Sequence, residues 1–384
     1  MTPDRRTLLA LFSLAFGLRI LYAVIVGGHI DLVTARESYD FRIASRMVES
    51  FDWVTTPFAP NSPGYRILLT AAFKLFGVSW WSAVLLNAVL GALTTLFVYR
   101  IGERLLGKRV GLVSALWLGL SVNHMHFASL AARDVLVTFL LTWVAYALAR
   151  PFYRMRTAVW VAFLVTLLLH TEPMFLVLLP LLVIFLALKS THHRALSWQY
   201  VFVFATALLV FFTPWTVRNV IVYRDVVPIS LEAQRYTAPV ARLVRDLPPT
   251  PEVTHPDAVT VHKPGFFINE REFWRVVRFS PSPAHPEGGV PAEPAWSLRH
   301  NLTSMLNYGV LLPFFLVGCV VAWKRRHRPA LVLASIVLSY ALLRGFFGGN
   351  EATRLWVDPL IILVAFYAVK VLLDLRSAAG LPDR

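Results

Sequence analysis

A single cysteine, Cys319, lies inside an apolar run, so a disulfide framework and thiolate metal sites are both excluded. The chain also lacks an Asp-x-Asp motif, a P-loop and a Gly-x-Ser-x-Gly elbow, which removes the common sequence marks of nucleotide-sugar, NTP and serine-hydrolase chemistry. Acids are scarce, 22 Asp and Glu against 37 Lys and Arg. They are scattered rather than clustered, so neither a metal nor any other cofactor is expected. His124 and His126 have no carboxylate partner in a register suited to a metal. There are no heptads, no solenoid period and no internal repeat, which weighs against transporters built from duplicated halves.

What the chain has in abundance is long apolar sequence. Hydrophobic residues make up 57% of the chain and its mean hydropathy is +0.60. At roughly 20 residues per crossing, the apolar runs predict an all-α, polytopic transmembrane bundle of about ten spans. The runs are 8–27, 80–100, 110–127, 135–150, 158–170, 174–188, 200–215, 305–323, 330–347 and 356–373. The fifth and sixth are short enough to be one broken unit. A further stretch, 64–76, is too short to span and reads as a re-entrant or interfacial helix. The first run follows Arg5 and Arg6 with no small-residue cleavage site after it, and is expected to be an uncleaved anchor.

The formal net charge of +15 is carried by short loops between runs. Arg100, Arg104, Lys108 and Arg109 join the second and third; Arg150, Arg154 and Arg156 the fourth and fifth; Lys189 and Arg194 the sixth and seventh; Lys324, Arg325, Arg326 and Arg328 the eighth and ninth. With ten crossings all of these fall on one side, as the positive-inside rule requires of a bilayer protein and as nucleic-acid binding does not. The expectation is a multi-pass inner (plasma) membrane protein with both termini cytoplasmic. Three regions follow: an N-terminal membrane bundle, 1–215, with an external loop at 28–63; a proline-rich extracytoplasmic segment, 216–304, with one helical patch at 269–277; and C-terminal membrane helices with a short tail, 305–384.

On this topology the acids outside the short interior loops gather on the outer face. In 37–51, Phe41, Ile43, Ala44, Met47, Val48 and Phe51 share one helical face and Arg42, Arg46 and Glu49 the other, yet Glu37 and Asp40 fall on the apolar side. Either a carboxylate is held in a desolvated cleft as a general base, or Glu37 is a helix-start acid and Asp40 the edge of the stripe. Asp134 opens the fourth run after Arg133, with Thr138 and Thr142 below it at i+4 and i+8, a polar stripe expected to face the bundle interior and to pair through its basic neighbour. Glu172 stands in the tight turn His170-Thr-Glu-Pro173, as a solvated turn residue or a site residue. Arg218, in Pro214-Trp-Thr-Val-Arg-Asn219, has the forked donors that suit a phosphate, or contacts headgroups. Glu351 and Arg354 form an i,i+3 pair before the last run. Asn301-Leu-Thr303 is a formal glycosylation sequon of low specificity.

Taken in order, the first external helix, Asp52-Trp-Val-Thr-Thr, Ser62-Pro-Gly-Tyr65, Phe73-Lys-Leu-Phe-Gly77 and Leu86-Asn-Ala-Val-Leu-Gly-Ala92, then Pro214 to Asn219 with Val227-Pro-Ile-Ser230, and the Glu-x-x-Arg before the last span, resemble the integral membrane glycosyltransferases of the C-type fold. The similarity is to the bacterial branch related to protein O-mannosyltransferases and lipid A aminoarabinose transferases. The resemblance implies inverting transfer of one sugar from a polyprenyl-phosphate donor to an acceptor hydroxyl on a glycan, lipid or protein at the extracytoplasmic face. It places the catalytic acid on Glu37, with Asp40 beside it and Asp134 orienting acceptor or base. Arg218 and Arg354 are the implied phosphate-binding cations, and Tyr65, Glu172, Asn219 and Glu351 supporting residues. Two positions depart from relatives: Arg36 replaces the first acid of an aspartate-glutamate pair, and Glu172 stands where many have an arginine. The alternatives are a transporter or lipid flippase and an inactive relative serving as an assembly subunit.

Overall fold

The structure, a computed structural model, describes residues 3–27, 39–50, 62–149, 155–189, 194–224, 227, 229–230, 298–347 and 355–378. Glu37, Glu351 and Arg354, and the expected helical patch at 269–277, lie outside the described residues. Among the described residues every regular element is helical and there is no strand. We label the helices α1 (Pro3–Gly27), α2 (Tyr39–Glu49), α3 (Gly64–Phe76), α4 (Trp80–Ile101), α5 (Lys108–Gly119), α6 (Val122–Ala128), α7 (Asp134–Ala149), α8 (Met155–Thr171), α9 (Leu179–Lys189), α10 (Arg194–Tyr223), α11 (Leu298–Lys324), α12 (Arg328–Phe347) and α13 (Asp358–Ala378).

Among the described residues, three helical stretches are both long and apolar enough to cross a membrane: Arg5–Ile25, Trp80–Leu106 and Trp198–Tyr223. Shorter apolar helices cover Asp134–Leu148, Met155–Thr171, Gly309–Lys324 and Arg328–Leu342. The packing is that of a bundle whose solvent is lipid. Along α13, Leu360, Leu363, Val364 and Ala368 are fully buried, and it packs on α5, α11 and α12. On the periphery, α10 turns Phe202, Leu209 and Ile221 outward, each at least 60% exposed. Such an apolar surface is stable only against acyl chains.

One expectation is corrected. The run 110–127 is not one continuous helix: α5 ends at Gly119, Leu120 and Ser121 interrupt it, and α6 is a separate short helix. The fifth and sixth runs are joined by a 3₁₀ segment, Pro173–Leu178, started by a proline that cannot continue α8.

Helix ends are set by local chemistry. The Ser79 hydroxyl accepts the Ser82 N–H at the start of α4, and Gly77, at φ +85°, releases α3 into the preceding turn. At its far end α4 loosens into a π turn, Gly102–Leu106, where Gly102 and Gly111 let two backbones meet: a Cβ on Gly102 would lie 2.3 Å from the Gly111 Cα. Mid-way along α1, Arg19 is 1% exposed, donates to the Ala15 carbonyl at 2.8 Å, and fits because Gly91 of α4 has no side chain.

Candidate functional site

The starts of α2, α3, α7 and α13 and the ends of α8 and α10 meet at one end of the bundle. The amphipathic reading of 37–51 matches α2: Phe41, Ala44 and Met47 are buried and Arg42, Arg46 and Glu49 exposed. The helix lies on α3, with the Phe41 and Phe73 rings 4.9 Å apart. Asp40 faces inward with them. Its Oδ1 accepts the Arg66 Nε–H at 2.8 Å, and the two side chains are 21% and 1% exposed. A buried guanidinium answers the question raised by an acid on an apolar face: ion pairing offsets part of its desolvation.

Tyr65, next to Arg66, is also buried and is pinned by Asn87 of α4, whose amide nitrogen donates both to the phenol oxygen at 3.1 Å and to the Leu130 carbonyl at 2.6 Å. Tyr65 is within electrostatic reach of both Asp40 and Asp134, and those two acids of each other. Burial raises the Tyr65 phenol above its ordinary value, and the two carboxylates add to this. Its hydroxyl is held by Asn87.

Arg133 lies within electrostatic reach of Asp134, but the direct partners of the two differ. The Asp134 Oδ1 accepts the indole N–H of Trp356 at 2.9 Å, while Arg133 reaches Glu172, Nη2 to Oε2, at 3.2 Å. Glu172 is therefore no solvated turn residue: its side chain is 3% exposed, and its Oε1 also accepts the Met174 N–H at 3.4 Å, capping the 3₁₀ segment. The threonine stripe below Asp134 is buried, but Thr138 and Thr142 donate to the carbonyls four residues earlier, at 2.8 and 2.7 Å. Their hydroxyls serve the helix backbone.

Arg218 is 3% exposed, stacked over Trp215 at 5.0 Å and near the Tyr223 ring at 5.9 Å, and its Nη1 donates to the Asn219 Oδ1 at 2.9 Å. Asn219 in turn donates to the Val227 and Ile229 carbonyls, and the Trp215 indole to the Ile229 carbonyl at 2.6 Å. The role of Asn219 is to fasten 227–230 across the end of α10. Ser230 then meets Ser62 at 3.4 Å, and Trp215 packs with Met47 of α2, which brings the arginine's end of α10 to the α2–α3 pair.

Two participants, Arg66 and Trp356, escaped the sequence reading, and Arg133 has a partner the sequence did not show. Arg66 and Trp356 hold two of the carboxylates, and Arg133 serves the third. His124, with no carboxylate in a metal register in the sequence, has Asp358 of α13 at 3.7 Å from its Nε2. No group of three or more His, Cys, Asp and Glu side chains suited to a metal occurs among the described residues.

The sequence profile of the dolichyl-phosphate-mannose-protein mannosyltransferase family matches residues 60–217, a stretch that holds Tyr65, Arg66, Asp134 and Glu172. No curated protein sequence matches the chain significantly. Among solved structures, ArnT from Cupriavidus metallidurans in the apo state is similar with a TM-score of 0.58 at 16% identity, over 92% of this chain and 60% of that one. The same protein bound to undecaprenyl phosphate gives 0.55 at 18% identity, over 95% and 64%. The archaeal oligosaccharyltransferase AglB from Archaeoglobus fulgidus, in complex with an inhibitory peptide and a dolichol-phosphate, gives 0.60 at 13% identity, over 100% and 53%. The chain thus spans less than two thirds of the length of these neighbours. By profile and architecture together, the chain carries the fold of the C-type integral membrane glycosyltransferases.

Proposed function

We propose that the chain transfers a single sugar, with inversion, from a polyprenyl-phosphate donor to an acceptor hydroxyl at the extracytoplasmic face of the inner membrane. The observation that carries this is that one end of the bundle gathers Asp40, paired with Arg66 next to the buried Tyr65, and Asp134, held by Trp356, with Arg133 and Arg218 at the same end. Acids beside guanidinium groups at helix ends suit a displacement in which a proton is removed on one side and a phosphate departs on the other. Similarity to neighbours solved with undecaprenyl phosphate and dolichol-phosphate supports a lipid phosphate as leaving group.

In the proposed step the acceptor oxygen bonds to the anomeric carbon as the bond from that carbon to the phosphate oxygen breaks. The acceptor proton passes to a carboxylate, for which Glu37, just before α2, is our assignment. Asp134, oriented by Trp356, directs the acceptor or the base. Asp40 fixes Arg66 and so the α2–α3 platform. The departing phosphate is met by Arg218, Arg354 and, we add, Arg133: many members of the family the chain resembles have an arginine in the turn where this chain has Glu172, and here Arg133 brings a guanidinium to that turn from the start of α7. Arg133 is 29% exposed and so open to a ligand. Our reading keeps about ten crossings, both termini cytoplasmic and the 216–304 segment external, on the acceptor side.

The test is release of free polyprenyl phosphate from a panel of polyprenyl-phosphate sugars by the purified protein in detergent. Wild-type release that Glu37→Gln and Asp134→Asn abolish supports the transferase. No release from any donor by folded protein returns the chain to the assembly-subunit or flippase readings.

A further inference from the structure

The opposite end of the bundle collects cations from separate parts of the chain. α13 begins beside the carboxylates at Asp358 and reaches this end at Lys370, about 18 Å along. There the Lys370 ammonium donates to the Leu106 carbonyl at 3.1 Å, and it lies against Gly107, whose φ of +115° turns the chain from the π turn into α5. The turn from α11 into α12 brings Lys324, Arg325, Arg326 and Arg328, all exposed, with Arg326 in the left-handed region at φ +51°. His327 stacks on Tyr367 of α13 at 4.8 Å, within electrostatic reach of Lys370, and Tyr367 within that of Arg325. Arg109, at the start of α5, is exposed too. Because α5 and α11 both pack on α13, these groups share one surface.

Carboxylates do not balance them. Glu103 is bound by Arg100 at 2.7 Å and by Tyr99 at 2.9 Å, and the exposed Asp374 makes no ion pair among the described residues. His327 reports the same imbalance: burial first, and Lys370 second, hold its imidazole below the ordinary value. Apolar side chains frame the patch. Trp323 is 76% exposed beside Lys324, and Leu372, Leu373 and Leu375 are 43 to 57% exposed just beyond Lys370. Cations rimmed by an interfacial tryptophan and leucines match the level of a phospholipid headgroup, with charge toward the phosphate and apolar surface toward the chains.

We propose that the turn 324–328, with Arg109 and Lys370, is a binding site for the phosphodiester headgroup of an anionic phospholipid. The positive-inside rule accounts for which side the loops lie on; the site requires in addition that one lipid class be held in preference to another. It is independent of the transferase reading.

The experiment is native mass spectrometry of the full purified chain titrated with phosphatidylglycerol or with phosphatidylcholine of the same acyl chains. Phosphatidylglycerol is expected to bind roughly tenfold tighter or more, since each basic residue near the surface adds appreciably to anionic-lipid attraction. R325Q/R326Q/R328Q should lose that preference and R325K/R326K/R328K should keep it, each with an unfolding temperature near wild type in phosphatidylcholine. Equal binding of the two lipids overturns the proposal, as does a preference that survives the glutamine variant. A preference lost equally in the lysine variant overturns it too. Displacement of the lipid by millimolar glycerol phosphate would make this a soluble-anion site and sink the commitment to lipid.

Discussion

Replacing Asp40 by asparagine should destabilise the protein more than replacing its partner Arg66 by methionine, although both changes break the same 2.8 Å contact. The asymmetry comes from burial. Arg66 is 1% exposed, so losing the Asp40 carboxylate leaves a guanidinium shut in the bundle short of its counter-charge. Breaking a buried pair in this way costs about 3 to 5 kcal/mol, and we expect the lower figure because the Arg66 guanidinium keeps other contacts. Asp40 is 21% exposed, so in Arg66→Met the carboxylate can recover water and the methionine fills much of the volume left behind, for a loss of about 1 to 2 kcal/mol. The double variant Asp40→Asn/Arg66→Met should then be more stable than Asp40→Asn alone, with a coupling of at least about 1 kcal/mol across the cycle. Equilibrium unfolding in mixed micelles, followed by tryptophan fluorescence, gives all four corners. Equal losses for the two single variants, with a double variant at their sum, would refute the argument: the contact would be incidental and the inward face of Asp40 would need another cause.

The Arg133–Glu172 pair runs the other way, since here the acid is the buried member. Arg133→Gln should cost about 3 kcal/mol and Glu172→Gln about 1 kcal/mol by the same unfolding assay, and a reversed order would count against the pairing. Trp356→Phe keeps the ring packing on Phe175 and Tyr340 but deletes the donor to Asp134, a hydrogen bond to a charged group. Polyprenyl-phosphate release should fall about tenfold with the unfolding temperature little changed, and an unchanged rate would remove Asp134 from the proposed step. Gly111→Ala would set a Cβ 2.5 Å from the Glu103 nitrogen and 2.6 Å from the Tyr99 oxygen, both backbone, so an alanine that ordinarily favours a helix should instead lower stability by about 1 to 3 kcal/mol. A stabilised Gly111→Ala protein would show that α4 and α5 do not meet there.

What the sequence made legible, and what it hid, divides along the range of the interactions. Helix α3 is found at the residues expected, and α2 within two residues of its expected ends, because a period of apolar side chains is a local property and survives folding unchanged. The break in the third run was hidden for the converse reason: hydropathy continues through Leu120 and Val122, and only Ser121 followed by Asn123, His124 and His126 marks a helix end. Arg66 carried a usable sign, a lone arginine in the first turn of an otherwise apolar helix start, which must find an acid if that helix is buried.

The misreading of Asp134 has a sharper lesson. Arg133 was expected to serve it because the two are adjacent, but adjacent residues at a helix start point about 100° apart, and side chains at i and i+1 do not face each other. Asp134 takes the Trp356 indole from beside α13, and the Arg133 guanidinium reaches the buried Glu172 just after α8 while staying within electrostatic reach of Asp134. One helix start therefore divides its two charges between two neighbours. This geometry explains how Glu172 can replace an arginine in its turn without removing positive charge from this end of the bundle. It also makes Arg133 and Glu172 a unit. The exchange Arg133→Glu/Glu172→Arg should restore much of the stability that either single reversal loses, and if Arg133 meets the leaving phosphate, release should recover with it, because the guanidinium would again stand at the same junction of α7 and α8.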